Sequence, residues 1–224
     1  MSFFNNNLSS EKYFSLLKLK YSKKFFLENY GMFLGNKSFY RQTKINEIIQ
    51  KTKNVKGDII EFGIWNGNNL FIIKKFVDYY KLKKKVFGFD NFSGFPNPTK
   101  LRKIKKGKYI GRPQLINKVI KFFKLKKIEI INDDIINLDK YTNKFKKLSF
   151  VYVDCNIYEI VKKILLKIDN KLSHGAIIAF DEAQHPDQKG EGKALMEFYK
   201  KNKKKYKLIK INKKYQPDAL LIKK

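Results

Sequence analysis

The sequence predicts an α/β fold: a Rossmann-like, doubly wound, mostly parallel sheet of seven strands ending in an antiparallel strand pair. Three observations carry this reading. From Lys56 onward, short apolar runs alternate with amphipathic helical stretches, as in a parallel sheet covered on both faces. The last two apolar runs are separated by little more than Tyr215-Gln216-Pro217, so they should pair antiparallel. Several apolar runs end in carboxylates, and ligands of such sheets sit at the carboxyl ends of the strands.

Each element has its own signature. Asp58–Phe62 reads as the first strand and Asn69–Tyr80 as the helix that follows it. Lys85–Phe89 is the second strand, followed by a loop with Gly94, Pro96 and Pro98. Pro113–Phe123 reads as a helix with proline in its first turn, where the missing N–H costs nothing. Ile128–Ile131 and Leu148–Val153 are strands three and four. Ile157, Ile160, Val161, Ile164, Leu165, Ile168 and Leu172 then recur at helical spacing, the clearest stripe in the chain. Ala176–Phe180 is strand five, Lys193–Tyr199 a helix, and Tyr206–Ile211 with Ala219–Ile222 the terminal pair.

The first 52 residues read differently, as a helical cap preceding a main domain over 53–224. One segment carries Tyr13, Leu16, Leu17, Leu19 and Tyr21. A second, from Ser38 to Lys51, carries Phe39, Ile45, Ile48 and Ile49 on a partial stripe.

Composition bounds the function. A 224-residue chain, 43% hydrophobic and 15% aromatic, can bury a core and is not a disordered chain. The net charge is +30, yet Arg41, Arg102 and Arg112 are the only arginines among 50 basic residues. A basic surface for an anionic partner is one reading. The other is compositional drift, because Lys, Asn, Ile, Phe and Tyr share A/T-rich codons. Lysine lacks the bidentate fork suited to bases and phosphates, which argues against nucleic acid as the partner. The lone Cys155 allows no internal disulfide, and neither a signal peptide nor a membrane span is visible. A cytoplasmic location is therefore expected, and a homodimer is compatible with all of this.

The strand ends supply the candidate chemistry. Strand one runs into Glu61-Phe62-Gly63-Ile64-Trp65-Asn66-Gly67, an E-x-G-x-x-x-G loop rather than the G-x-G-x-x-G dinucleotide fingerprint. Asp90 follows strand two, 23 residues after Gly67; it suits either a ribose or a turn. Asp133 and Asp134 follow strand three and suit either an adenine amine or a turn. Asp154 ends strand four, while Asp181 and Glu182 end strand five. Together these three are hard oxygen donors for Mg²⁺, or caps of the helices that follow. His185 is a candidate base or a loop residue; His174 reads as structural, and Cys155 as a small buried residue.

The combination resembles class I S-adenosylmethionine-dependent methyltransferases, and more narrowly the macrocin O-methyltransferase family. IIEFGIWNG, GFDNFSGFP, FVYVDCNIYEIVKKIL, HGAIIAFDEA and GEGKALMEF carry the resemblance, over about residues 55–222. It implies a methyltransferase acting on sugar hydroxyls, of a nucleotide sugar, a glycan precursor or a glycosylated metabolite. The cofactor would meet Glu61, Gly63, Trp65, Gly67, Asp90, Asn91, Phe92, Asp133 and Asp134. Asp154, Asp181 and Glu182 would hold Mg²⁺. The chain departs from the family's D-x-D at Asp154-Cys155-Asn156, since Asn156 cannot accept a proton as the second carboxylate would. His185 then takes the base role, or the metal acidifies the hydroxyl, or the acceptor is already nucleophilic. Asp154, His185 and Asn156 are the catalytic candidates. The excess positive charge suits an anionic acceptor. Two rivals remain: an RNA methyltransferase, and a cofactor-binding relative without catalysis.

Overall fold

The computed structural model describes residues 23–211 and 215–224. The expected stripe from Tyr13 to Tyr21 lies outside them. Among the described residues three helices come first: α1 (Lys23–Glu28), α2 (Tyr30–Phe33) and α3 (Asn36–Thr52). The alternating units are β1 (Asp58–Phe62), α4 (Asn68–Tyr79), β2 (Val86–Asp90), α5 (Pro113–Phe122), β3 (Ile128–Asn132), β4 (Leu148–Val153), α6 (Tyr158–Ile168), β5 (Leu172–Phe180) and α7 (Lys189–Lys201). Strands β6 (Tyr206–Lys210) and β7 (Ala219–Lys223) close the fold.

The seven strands lie in the order β3-β2-β1-β4-β5-β7-β6. β7 inserts between β5 and β6 and runs antiparallel to both, so the expected hairpin is present and the other strands share one direction. The order reverses between β1 and β4, which opens a crevice at their carboxyl ends.

Side chains alternate across the sheet, and each face has its own core. Ile60, Phe62, Val151, Val153, Ile178 and Phe180 pack under α6 and α7. Ile59, Phe150, Tyr152, Ile177 and Ala179 pack under α3 and α4. Helix α3 takes part in the second core through Ile45, Ile48 and Ile49, each at most 1% exposed. Phe39, read as part of the same stripe, is 61% exposed, because it lies off the face that those isoleucines bury.

Several boundaries differ from expectation: α7 starts at Lys189 rather than Lys193, β5 at Leu172 rather than Ala176, and other ends shift by one or two residues. Leu172 continues the helical spacing of α6, but the helix ends at Ile168 and Leu172 opens β5. A short 3₁₀ turn at Asp169–Lys171 intervenes. There the Asp169 carboxylate accepts from the Tyr206 hydroxyl at 2.5 Å and from Lys223 Nζ at 2.6 Å, tying the turn to the far edge of the sheet. A 3₁₀ helix at Ile135–Lys144, without a sequence signature, links β3 to β4. Among the described residues no helix is long and apolar enough to cross a membrane.

Candidate active site

The loop after β1 is shaped by close backbone approach. Gly63 has φ of +84°, and a Cβ there would stand 2.0 Å from the Asp154 carbonyl oxygen. Trp65 also adopts a positive φ, 47°, which is uncommon for so large a side chain. Asp90 makes that conformation possible. Its Oδ2 accepts from the Trp65 N–H at 2.8 Å and its Oδ1 from the Phe92 N–H at 2.7 Å. One carboxylate thus ties the β1 loop to the β2 loop. Burial raises its proton affinity, and these backbone donors pull it back down.

The chain from Asn91 to Arg112 folds over the crevice. Asn91 Oδ1 accepts from the Ser93 N–H at 3.1 Å, and Phe92 is buried with φ of +57°. Trp65 Nε1 donates to the Ile110 carbonyl at 3.1 Å, and its ring meets Tyr109 edge-on with centroids 5.3 Å apart. Arg102 is the keystone. It is 2% exposed, and its guanidinium donates to the carbonyls of Pro96, Asn97 and Ile104 at 2.6–3.1 Å. Arg102→Ala would leave three carbonyls without a cationic donor, each such bond being worth about 1.5–3 kcal/mol. We expect trypsin to cut the variant at Lys103, Lys105, Lys106 or Lys108 at least tenfold faster than the wild type, with the sheet intact by circular dichroism.

Asp133 and Asp134 are occupied in shaping their turn. Asp133 accepts from the Asp134 N–H, Asn137 Nδ2 and the Tyr141 hydroxyl at 2.7–2.8 Å. Asp134 caps the 3₁₀ helix by accepting from the Ile136 N–H at 2.8 Å.

The ends of β4 and β5 bring acids together on the face that α3 covers. Glu61, Tyr152, Asp154 and Asp181 share the strand parity of Ile59, Phe150 and Ile177, which accounts for their meeting there. Arg41 enters from α3, one turn before Ile45. Its Nη2 lies 3.2 Å from Asp181 Oδ1 and 3.3 Å from Oδ2, and also donates to Gln216 Oε1. The Tyr152 hydroxyl donates to Asp181 Oδ1 at 2.5 Å. Gln216 Nε2 donates to Glu182 Oε1 at 2.6 Å. The Asn156 amide also supports the charged form of Glu182.

A fifth acid completes the group. Glu191, fully buried in the first turn of α7, accepts from the Glu182 N–H at 2.9 Å. It sits between Gly190 and Gly192, where a Cβ would stand 2.6 Å from the Asn156 carbonyl oxygen and 1.9 Å from that of Ala183. The G-E-G run is thus what lets α7 seat against both strand-end loops. Burial raises the proton affinity of Glu61, Asp154, Asp181, Glu182 and Glu191. For Asp154 the Asp181 charge adds to burial, and Arg41 opposes both. Several polar atoms here are buried without partners: Arg41 Nε, Glu61 Oε2, Asn156 Oδ1 and Glu191 Oε2. Buried polar atoms are rarely left without partners, so each of these calls for an explanation, of which a ligand or catalytic role is one.

The expected Mg²⁺ triad does not assemble. Among the described residues no group of three or more His, Cys, Asp or Glu side chains is placed to hold a metal ion. Two of the three acids have partners within the chain: Arg41 and Tyr152 engage Asp181, and Gln216 and Asn156 engage Glu182. His185 lies in the loop after β5, with its Nδ1 accepting from the Asp187 N–H at 3.1 Å.

A sequence model of the macrocin O-methyltransferase family, TylF, matches residues 29–215. The chain belongs to the macrocin O-methyltransferase family. It is a class I S-adenosylmethionine-dependent methyltransferase. Among solved structures, CalS11, a calicheamicin methyltransferase, is similar with a TM-score of 0.79 at 20% identity, covering 98% of this chain and 93% of that one. Its apo form is described as a TDP-rhamnose 3'-O-methyltransferase. The O-methyltransferase NovP is similar with a TM-score of 0.70 at 19% identity, covering 86% of this chain and 81% of that one. These likenesses establish the fold. No curated protein sequence matches the chain.

The cofactor of the macrocin O-methyltransferase family suits the residues present. Glu61 is 2% exposed and its Oε2 has no partner, so it suits a cationic donor such as the α-ammonium of S-adenosylmethionine. The close approach at Gly63 leaves backbone, not side chain, facing that position.

Sequence reasoning overlooked Arg41, Tyr152, Glu191 and Gln216 as site residues. Arginine scarcity was the available signal, since two of the three arginines, Arg41 and Arg102, organise the crevice. Tyr152 was visible as a hydroxyl inside an otherwise apolar strand.

Proposed function

We propose that this family member methylates a sugar hydroxyl of a nucleotide sugar or another glycosylated, anionic compound. Asp154 receives the hydroxyl proton. The observation that carries the reading is the state of Asp154. It is partly buried at the end of β4, its backbone touches the Gly63 loop, and its carboxyl group holds a proton more tightly than usual. A base with raised proton affinity, beside the cofactor loop, is matched to a weakly acidic alcohol.

The reaction balances simply. S-adenosylmethionine, when bound, would supply an electrophilic sulfonium methyl, so that an O–C bond would form as the C–S bond breaks while Asp154 takes the hydroxyl proton. The products are a methyl ether and S-adenosylhomocysteine. Glu61 would hold the amino end of the cofactor, with Gly63, Trp65 and Gly67 beside it. Asp90, Asn91 and Phe92 would lie toward the ribose. Positioning supplies much of the acceleration in such a displacement. Asn156 Oδ1, an unpartnered acceptor, orients a second sugar hydroxyl. The lysine-rich surface attracts the anionic acceptor.

The test is methyl transfer from labelled S-adenosylmethionine to a panel of TDP- and UDP-linked sugars, with a short RNA alongside. A labelled methyl ether on a sugar supports the reading. Labelled RNA with unlabelled sugars overturns it, as does tight S-adenosylhomocysteine binding with no transfer to any acceptor.

A further inference from the structure

We propose that Arg41 is the resident cation of the acid cluster, so that this enzyme works without a divalent metal. The inference rests on the methyltransfer reading above, but its first test does not. Asp154, Asp181 and Glu182 are the oxygen donors a metal would need, and two of them are already engaged from within the chain. One guanidinium nitrogen lies within 3.3 Å of both Asp181 oxygens and also donates to Gln216. Gln216 in turn holds Glu182. Arg41 thus reaches Asp181 directly and Glu182 through one amide.

The placement of Arg41 is built into the fold. It stands at i−4 from Ile45 and i−7 and i−8 from Ile48 and Ile49, the three residues that seat α3 on the sheet. Its side chain is 22% exposed, and that of Asp181 is 4% exposed. Residue choice points the same way. The chain places lysine at nearly every basic position, yet keeps arginine here. A guanidinium spans several acceptors in one plane, whereas an ammonium is a point charge. Arg41 is therefore a positioning residue. It holds Asp181 and Glu182 in place and leaves Asp154 as the acid free to work.

Mn²⁺ binding to the full-length protein, followed by electron paramagnetic resonance, tests the proposal without any acceptor. S-adenosylhomocysteine affinity is measured in parallel to establish a folded site. The wild type should bind no stoichiometric Mn²⁺ at the cluster, and EDTA should leave turnover within about twofold. Arg41→Ala should uncover the oxygens and raise Mn²⁺ affinity by about tenfold or more, the scale on which a metal site answers to its surroundings. Arg41→Lys, which keeps the charge, should fall between the two. Stoichiometric Mn²⁺ on the wild type overturns the proposal, as does loss of turnover in EDTA restored by Mg²⁺. An Arg41→Ala protein that binds S-adenosylhomocysteine but gains no Mn²⁺ affinity also overturns it. Should that variant fail to fold, the wild-type measurement still decides. Failure of every acceptor, with the Mn²⁺ results as expected, would sink the methyltransfer reading and leave Arg41 in its place.

Discussion

Asp154→Asn should lower turnover by about 10²- to 10⁴-fold while S-adenosylhomocysteine binds within a fewfold of the wild type. The magnitude is that of removing a positioned general base. Asparagine keeps the shape of the side chain at the end of β4, so the backbone contact between Asp154 and Gly63 survives. The substitution also removes one negative charge from a group containing Asp181, Glu182 and Glu191. The variant should therefore be no less stable than the wild type. Single-turnover kinetics with a competent sugar acceptor measure the effect. A rate within fivefold of the wild type would show that Asp154 does not take the proton.

Alanine at Asp154 is a weaker test, because it opens space beside a buried cluster and confuses lost chemistry with altered packing. Asn156→Asp is a useful companion. It restores the carboxylate common in the family but takes away the amide that supports Glu182. Like charges would then face each other at close range, and the variant should be less stable than the wild type in neutral buffer.

The sheet was legible because its signals are local. Ile59-Ile60 and the run from Leu148 to Val153 are buried on both faces, so a continuous apolar run sufficed to locate each strand. The insertion of β7 between β5 and β6 was not local. Tyr206–Lys210 and Ala219–Lys223 read as a hairpin whichever of them meets β5, and it is the pairing of Phe180 with Ala219 that decides. The end of α6 differs from expectation for a related reason. Leu172 is apolar at helical spacing, and a strand entering the core needs an apolar residue at the same place.

The candidate site was legible only where chemistry sits at strand ends. Glu61, Asp90, Asp154, Asp181 and Glu182 all lie on the rim because parallel strands end there together. What that position does not disclose is which acids are already paired. The ion pair between Arg41 and Asp181 spans 140 residues, and Gln216 reaches Glu182 from the turn before β7. Neither partner has a motif. Asp133 and Asp134 shape the Ile135–Lys144 turn through their hydrogen bonds, a role their spacing allowed beside contact with an adenine.

Glu61→Gln should weaken S-adenosylhomocysteine binding by about 10- to 100-fold, and yet raise the melting temperature of the cofactor-free protein in neutral buffer. Loss of a charge-assisted bond to the ligand ammonium accounts for the first effect, at about 1.5–3 kcal/mol. The second follows from linkage. Burial holds Glu61 well above its ordinary value of 4.5, with Arg41 and the Asn69 side chain opposing. The folded state therefore binds that proton more tightly than the unfolded chain does. Stability contributed by Glu61 is fully present below its unfolded value and is lost as pH rises through its folded one. Glutamine has no proton to lose, so the stability gap between the two proteins should widen with rising pH and close on acidification. Comparing the two proteins cancels the pH dependence of the other acids and of the lysine-rich surface. Thermal melts of the cofactor-free pair between pH 5 and pH 8, with calorimetry of S-adenosylhomocysteine at each pH, measure both effects. A variant that keeps full ligand affinity would remove Glu61 from the cofactor site, and one that melts below the wild type throughout would show that its burial is not what raises its proton affinity.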